Sequence, residues 1–577
     1  MFLGVWWSPG RPPSQHLAAR VRAALEEPGA IRVEGPSTAL AAWPPALLSR
    51  TEDGTATVHA ASRTTNESLS GHPRVRLEQG SITVSAAPLP QYPVYYARGP
   101  SDEYLLICSR LEPLASLFPH APLDAERLVS LMAWGVDLDT DATVFAGIRR
   151  LRSCETILAT PDGVRLTRAF PHLAKTYRRG RVADLATEMR YRLDAAVERA
   201  IGDSRRVAVF VSGGLDSSGV LALAAARCRG ASARELNAIS IQCASPGDDR
   251  PYFNELMAAL ELTPIRLSAG EAGRWFRPSL CADAQPMVLS STCLSMLLCA
   301  TATDVNAEVV LSGVSGDTIC GPVSFAHLAK RGHLFAAMNA ALRVRVPWPM
   351  SPLRRLRELV FSPLLPSALR RIRRRHAAGP TWMTSRSRRL FARSRQAAGR
   401  SIRLPNTPDE ALEDLFTRDQ LLDGADLGGQ VAAVTGCAPV DVFLEFEFVR
   451  FVLELDPALL SYGNEYRGLY RLAMKDVLPE RLRTRQDKAW LEPAIAAAAV
   501  GADAFEMLQD LSSLESLAAR GLVDPAAFRG MFSTCLALLR RGERSDPDPA
   551  DEQILEVWQL LSMEAFLRKH GSGRDLV

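Results

Sequence analysis

Val207-Ala208-Val209-Phe210-Val211-Ser212-Gly213-Gly214-Leu215-Asp216-Ser217-Ser218, continuing into Gly219-Val220-Leu221-Ala222-Leu223-Ala224-Ala225, is the stretch on which the fold turns. Five consecutive apolar residues suit a strand covered on both faces. The small residues after them suit a loop, and the alanine-rich apolar run that follows suits a helix. Strand, loop and helix N-terminus together make an anion site, because loop N–H groups and the positive helix end face one point. Gly213 and Gly214 let a phosphate approach the backbone, and Ser212, Ser217 and Ser218 add hydroxyl donors. Asp216 is the exception, since a bare carboxylate repels a polyphosphate. It makes sense if it holds a magnesium ion that bridges to the phosphates. The plainer alternative is a tight turn with an Asp helix cap. No Gly-Lys-Ser/Thr is present, so this is not a Walker A loop.

Outward from that loop the same grammar repeats. The apolar runs Ala238-Ile239-Ser240-Ile241 and Val309-Val310-Leu311 alternate with helical patterns, which predicts parallel βαβ units. The second run enters Ser312-Gly313-Val314-Ser315-Gly316-Asp317, where small residues again admit a nucleotide. Asp317 either completes a metal site with Asp216 or caps a helix. Upstream, residues 1 to about 175 read as short strands, including Ser81-Ile82-Thr83-Val84, Tyr92-Pro93-Val94-Tyr95-Tyr96 and Tyr104-Leu105-Leu106-Ile107-Cys108. Two domains suit 577 residues, with the change of character near 175 to 185. The expected domains are 1–178, β-rich, and 179–577, α/β with a doubly wound parallel sheet and a helical C-terminal part. Downstream, an insertion at about 331–404 is Arg-rich, with seventeen arginines and one acid, Glu358, between 331 and 400. It reads as a solvated insertion or as an electrostatic dock for an acidic peptide or another anion. From 405 the chain is helical, with amphipathic segments expected around 505–540 and 552–569.

Apolar residues make up 47% and charged residues 23%, a profile able to bury substantial cores. The net charge of +4 gives no general affinity for nucleic acid or membrane. The ten cysteines are scattered without a Cys-x-x-Cys or Cys/His cluster, which argues against zinc and a disulfide framework and for reduced thiols. With no signal-peptide pattern at the start and no apolar stretch of about eighteen residues, a cytoplasmic location is expected.

Ser-Gly-Gly-Leu-Asp-Ser-Ser after a hydrophobic strand resembles the pyrophosphatase loop of N-type ATP pyrophosphatases (the adenine-nucleotide α-hydrolase, PP-loop fold). It is most similar to the asparagine synthetase group, which includes β-lactam synthetases and lasso-peptide cyclases (macrolactam synthetases). There the loop grips pyrophosphate as a carboxylate becomes an acyl-adenylate. Ser312 to Asp317 resembles that family's Ser-Gly-x-Gly-x-Asp segment, whose acid binds magnesium. Val314 falls where asparagine synthetases carry Glu and β-lactam synthetases Tyr. Asp248-Asp249-Arg250-Pro251-Tyr252 resembles the family's Asp-Glu-x-x-Tyr segment, and Gln285-Pro286 its substrate-side turn. The run from Arg467 through Arg471, Leu478-Pro479 and Arg485-Gln486-Asp487-Lys488 is similar to Lys/Arg-x-Leu-x-Arg-x-Ala, Leu-Pro, Arg-x-x-Lys. The resemblance implies ATP and Mg2+ as cofactors, with the metal on Asp216 and Asp317. It implies nucleotide contacts from Val211, Ser212, Gly213, Gly214, Asp216, Ser217, Ser218, Ser240, Ser312, Gly313 and Lys488. Lys488, Asp216 and Asp317 are the implied catalytic residues. Pro439-Val440-Asp441 echoes a Pro-x-x-Asp segment one residue short, and Asp426 is a candidate for the acid that helps deprotonate the attacking amine.

The first domain resembles a degenerate, class II glutamine-amidotransferase-like half of the same family. Tyr95-Tyr96 and Ser109-Arg110-Leu111-Glu112-Pro113-Leu114 are similar to its late strands, and Thr143 to Leu151 to its closing segment. Glutamine-dependent members carry a cysteine after the initiator, whose own amine acts as base. Phe2 stands there, so ammonia from glutamine is not the expected nucleophile, and an amine of the substrate itself is. The resemblance therefore implies a lasso-peptide cyclase. It would adenylate an Asp/Glu side chain of a linear core peptide, whose N-terminal amine then closes the ring. The implied partners are that precursor peptide, a leader-peptide protease and a leader-binding protein, with no nucleic acid and no membrane. The alternatives are β-lactam synthetase-like cyclisation of a small amino diacid, asparagine synthetase-like amidation, a tRNA-modifying adenylase and a non-catalytic scaffold.

Overall fold

Among the described residues two antiparallel sheets, interleaved in sequence, are followed by one parallel sheet. The structure, a computed structural model, describes residues 2–8, 14–26, 31–35, 38–42, 47–50, 56–59, 71, 73–78, 80–134, 141–229, 234–244, 248–280, 282–286, 289–321, 325–346, 350–365, 379–398, 405–416, 419–489, 491–500, 502–540 and 551–577.

The first antiparallel sheet has the spatial order Ile148–Arg150, Tyr95–Arg98, Tyr104–Cys108, Phe2–Trp7, Thr38–Ala42, Ile31–Gly35. The second runs Gly163–Arg168, Glu155–Thr160, Ser81–Ser85, Arg74–Glu78, Ala56–His59, Leu47–Arg50. Period-two alternation makes them stack. In Ser81–Ser85 only Ile82 and Val84 are buried, and they meet Trp6, Leu105 and Ile107 of the first sheet. Two local expectations need correction. Tyr92-Pro93-Val94 precede the strand, which starts at Tyr95, because Pro93 has no N–H for the ladder. Leu111–Leu117 is a helix and not a strand, its first N–H groups donated by Leu111 and Glu112 to the Asp283 carboxylate at 3.1 and 2.6 Å.

The outer face of the first sheet (Leu3, Val5, Tyr95, Leu106) packs on residues from the far end of the chain, including Trp558, Leu561 and Phe566. Helix Asp551–His570 supplies them. It is buried nearly all round, at Ile554, Val557, Trp558, Leu560, Leu561, Met563, Phe566 and Leu567, so the amphipathic reading of 552–569 is corrected. One core thus draws on residues from both sides of position 178.

The parallel sheet has the order Ile265–Ser268, Glu235–Gln242, Arg206–Phe210, Val309–Ser312, Val440–Asp441, all strands aligned. Val207 and Val209 face one core, shared with Leu221 and Leu193, while Ala208 faces another with Met296, Val310 and Val431. Burial on both faces explains the unbroken apolar run. In chain order the strands lie 3-2-1-4-5, so the order reverses between Arg206–Phe210 and Val309–Ser312. The crevice beyond the carboxyl ends of those two strands is where such sheets bind ligands.

Within the Arg-rich insertion, helices Leu334–Arg343 and Pro352–Leu356 close a small core around Phe325, Ala337, Ala341, Val344 and Val360. Arg345 N donates to Asn464 O at 2.8 Å, tying this unit to the segment before Arg467. The arginine run 370–375 lies outside the described residues.

Candidate active site

The loop from Ser212 to Ser218 leaves the central strand and enters helix Leu215–Arg229. Gly213 has φ +95°, and a Cβ there would stand 2.6 Å from the Asp249 carbonyl oxygen. Both facts require glycine. Ser212 Oγ accepts from Gly214 N at 3.1 Å, and Ser217 Oγ accepts from Ser212 N at 3.2 Å. Ser218 is fully buried, and its hydroxyl has no hydrogen-bond partner.

The loop from Ser312 to Asp317 repeats the device one strand away. Ser312 Oγ accepts from Val314 N at 3.3 Å, again two residues on. Here the glycines let the two loops interlock. A Cβ on Gly313 would lie 3.0 Å from Ser217 N, and one on Gly316 would lie 2.4 Å from Asp216 Cγ. Small residues therefore bring the two acids into one crevice.

Each acid meets a cation from the C-terminal third. Arg467 places Nη1 on both carboxylate oxygens of Asp216, and Lys488 Nζ donates to Asp317 Oδ2 at 3.0 Å. Burial pushes the Asp216 carboxyl above its ordinary range, Arg467 pulls it back, and Asp317 adds a further push upward. A second guanidinium, Arg485, is buried with Nη1 on Asp249 and on the Gly213 carbonyl at 3.1 Å. Its Nε reaches Asp487 Oδ1 at 2.9 Å, and it stacks over Tyr252 at 4.1 Å. Asp249 is likewise raised by burial and held down by Arg485. Behind the second loop, Asp441 accepts from Ser315 N at 2.8 Å, and burial pushes its carboxyl up to about 6.

The remaining sequence candidates fall as follows. Ser240 is level with Val211, because Phe210 pairs with Ile239. Its hydroxyl accepts from Gln242 Nε2 at 2.7 Å, and it pairs with Arg266 of the neighbouring strand. Asp248 turns outward onto Arg250, while its neighbour Asp249 turns in. Gln285 is buried. Asp426 is also buried, its carboxylate taken by Arg150 and by Tyr95 Oη at 2.7 Å, so the candidate proton acceptor is an anchor between elements. Arg467, Arg485, Asp249 and Asp441 carried no assigned role in the sequence. The run beginning at Arg467 located two of them, but nothing local said which carboxylate each would meet.

Two hard carboxylates from adjacent loops suit magnesium, which keeps several waters and needs few protein ligands. Among the described residues no group of three or more His, Cys, Asp or Glu is placed to hold a metal ion. Residues 188–568, which contain both loops, Arg467 and Lys488, match the family model described as asparagine synthase. The chain belongs to the asparagine synthase family. That membership gives it ATP-dependent amide-bond formation in general as its chemistry, and ATP as the family's cosubstrate. No curated protein matches. Two solved structures are similar to part of this asparagine synthase family chain. They are a glutamine phosphoribosylpyrophosphate amidotransferase from B. subtilis complexed with ADP and GMP, and an allosteric regulatory enzyme of purine biosynthesis. Each is 8% identical with a TM-score of 0.19, covering 46% of this chain and 81% or 80% of its own, and so distant a likeness carries no argument. Among the described residues no helix is long and apolar enough to cross a membrane.

Proposed function

We propose that this chain closes a macrolactam in a linear peptide, activating an Asp or Glu side chain with ATP and joining it to the peptide's own N-terminal amine. One observation carries the choice of an internal amine over ammonia. Strand Phe2–Trp7 bears no nucleophile, and the cysteine paired beside it, Cys108, is fully buried with its thiol pushed up to about 12. A reactive thiol needs access and a low pKa, so these residues do not release ammonia from glutamine.

In the first half-reaction a substrate carboxylate oxygen bonds to the α-phosphorus, and the bond to the β-phosphate bridging oxygen breaks. Pyrophosphate leaves. Magnesium, when bound, offsets charge on the phosphate oxygens, and Asp216 and Asp317 are the residues that would hold it. The loop's backbone and hydroxyls orient the leaving group, and Lys488, on an exposed side chain, neutralises charge developing there. In the second half-reaction the amine nitrogen bonds to the acyl carbon, the carbon–oxygen bond to AMP breaks, and the amine loses a proton. Both groups belong to one molecule, so effective molarity is the main catalytic device. A leader-peptide protease and a leader-binding protein are the partners this reading calls for, and a cytoplasmic site of action goes with it.

ATP–pyrophosphate exchange with linear peptides, and separately with small amino diacids, tests the proposal. Peptide-dependent exchange, with peptide product lighter by one water, supports it. Exchange only with diacids moves the chain to β-lactam-type cyclisation. No exchange with any carboxylate, with Asp216→Ala indistinguishable from wild type, overturns synthetase activity altogether.

A further inference from the structure

Asp216 is not an open carboxylate waiting for a metal. One nitrogen of Arg467 covers both of its oxygens, and the pair is deeply buried, with 9% of the Arg467 side chain and 17% of that of Asp216 exposed. The arginine is held there at a conformational cost. Its φ is +58°, the left-handed region that a residue with a Cβ enters only when its surroundings impose it. What imposes it is visible on both sides. Tyr466 N donates to Arg345 O at 3.0 Å, and Gly468 packs so closely that a Cβ would lie 1.8 Å from the Tyr462 carbonyl oxygen. The guanidinium also sits over the Tyr466 ring at 5.0 Å, while its Nε has no hydrogen-bond partner. The second pair is built differently, since the Lys488 side chain is 67% exposed.

We propose that Arg467 is a resident counter-cation that closes Asp216 to divalent metal until a nucleoside triphosphate arrives. A dication and a guanidinium cannot both take the same two oxygens, and each repels the other at that range. Triphosphate oxygens give the guanidinium an alternative partner, and its unused Nε supplies part of the fork that phosphate accepts. Metal therefore enters Asp216 together with nucleotide and not ahead of it. The inference rests on the metal-holding role read for Asp216, not on which carboxylate is activated.

The test is a manganese titration of the nucleotide-free full chain, reading free Mn2+ by electron paramagnetic resonance. Wild type is expected to show no Asp216-dependent site in the range where the charge-removing variants Arg467→Met and Arg467→Gln reveal one, tighter by at least about tenfold. Adding Asp216→Asn to Arg467→Met removes that gain. Arg467→Gln also removes the charge but keeps a polar side chain, so it covers the case in which the methionine variant does not fold. A site in nucleotide-free wild type that Asp216→Asn abolishes, and that matches Arg467→Met or Arg467→Gln within about twofold, overturns the proposal. That outcome leaves exchange activity untouched, so it is distinguishable from failure of the synthetase reading.

Discussion

Lys488 Nζ stands 3.0 Å from Asp317 Oδ2, although 171 residues separate the two in sequence. The contact is solvent-exposed and therefore worth little to folding, about 0–1 kcal/mol. Its value lies in placing an exposed cation over the crevice. Lys488→Met should cut pyrophosphate exchange by roughly 10²–10³-fold while barely moving the melting temperature. Equal losses of exchange and of stability would mean that the lysine is a strut and not a charge donor.

Gly213 and Gly214 should behave differently despite being neighbours. Alanine at 213 meets both a positive φ and the Asp249 carbonyl, whereas at 214 its nearest neighbour is Ser212 Oγ at 3.1 Å. Gly213→Ala is expected to cost about 1–3 kcal/mol and to weaken ATP binding, with Gly214→Ala milder in both. Urea melts and nucleotide titrations check the order.

Asp426 separates an anchor from a base. Truncating it to alanine removes the buried carboxylate that Arg150 and Tyr95 share, for which about 3–5 kcal/mol of destabilisation is expected. Turnover per folded molecule should stay within about twofold of wild type, against the far larger loss for a true general base. A large fall in kcat at full stability would restore Asp426 to the chemistry.

His570 predicts a pH signature far from the crevice. Burial, with Lys569 adding to it, lowers this imidazole from 6.5 to about 4, against the edge of Phe145. A depressed histidine is neutral in the fold and protonates first in the unfolded chain. Its contribution is therefore full above pH 6.5 and is lost as pH falls towards 4. The stability gap between wild type and His570→Gln should narrow over that window, and a gap independent of pH would contradict the assignment.

Cys108 should resist alkylation in the native protein and react once the chain is unfolded, since its thiol is buried and raised to about 12. Mass spectrometry after iodoacetamide reads this directly. Cys108→Ser should leave exchange unchanged.

Much of the site was legible in the sequence because its chemistry is local. A strand that runs straight into Ser212-Gly213-Gly214 and an acid one turn later specify a phosphate loop from neighbouring residues alone, and Ser312 to Asp317 repeats the pattern. The strands of the first domain were legible where alternation is clean, as in Ser81–Ser85. They were misread where a proline removed an N–H or where a cap came from elsewhere, as Asp283 supplies for Leu111–Leu117.

By itself the sequence determined the existence of two small-residue loops, the residue types they carry and the apolar runs that feed them, since all of these depend on contacts within a few residues. Only the tertiary structure decided that the loops face each other. That follows from the 3-2-1-4-5 strand order, which puts their strands side by side at the reversal point. It also decided which cation sits on which acid: Arg467 on Asp216, Lys488 on Asp317, Arg485 on Asp249 and Arg150 on Asp426. Charge pairing acts through space and carries no periodicity along the chain, so packing alone could make those assignments.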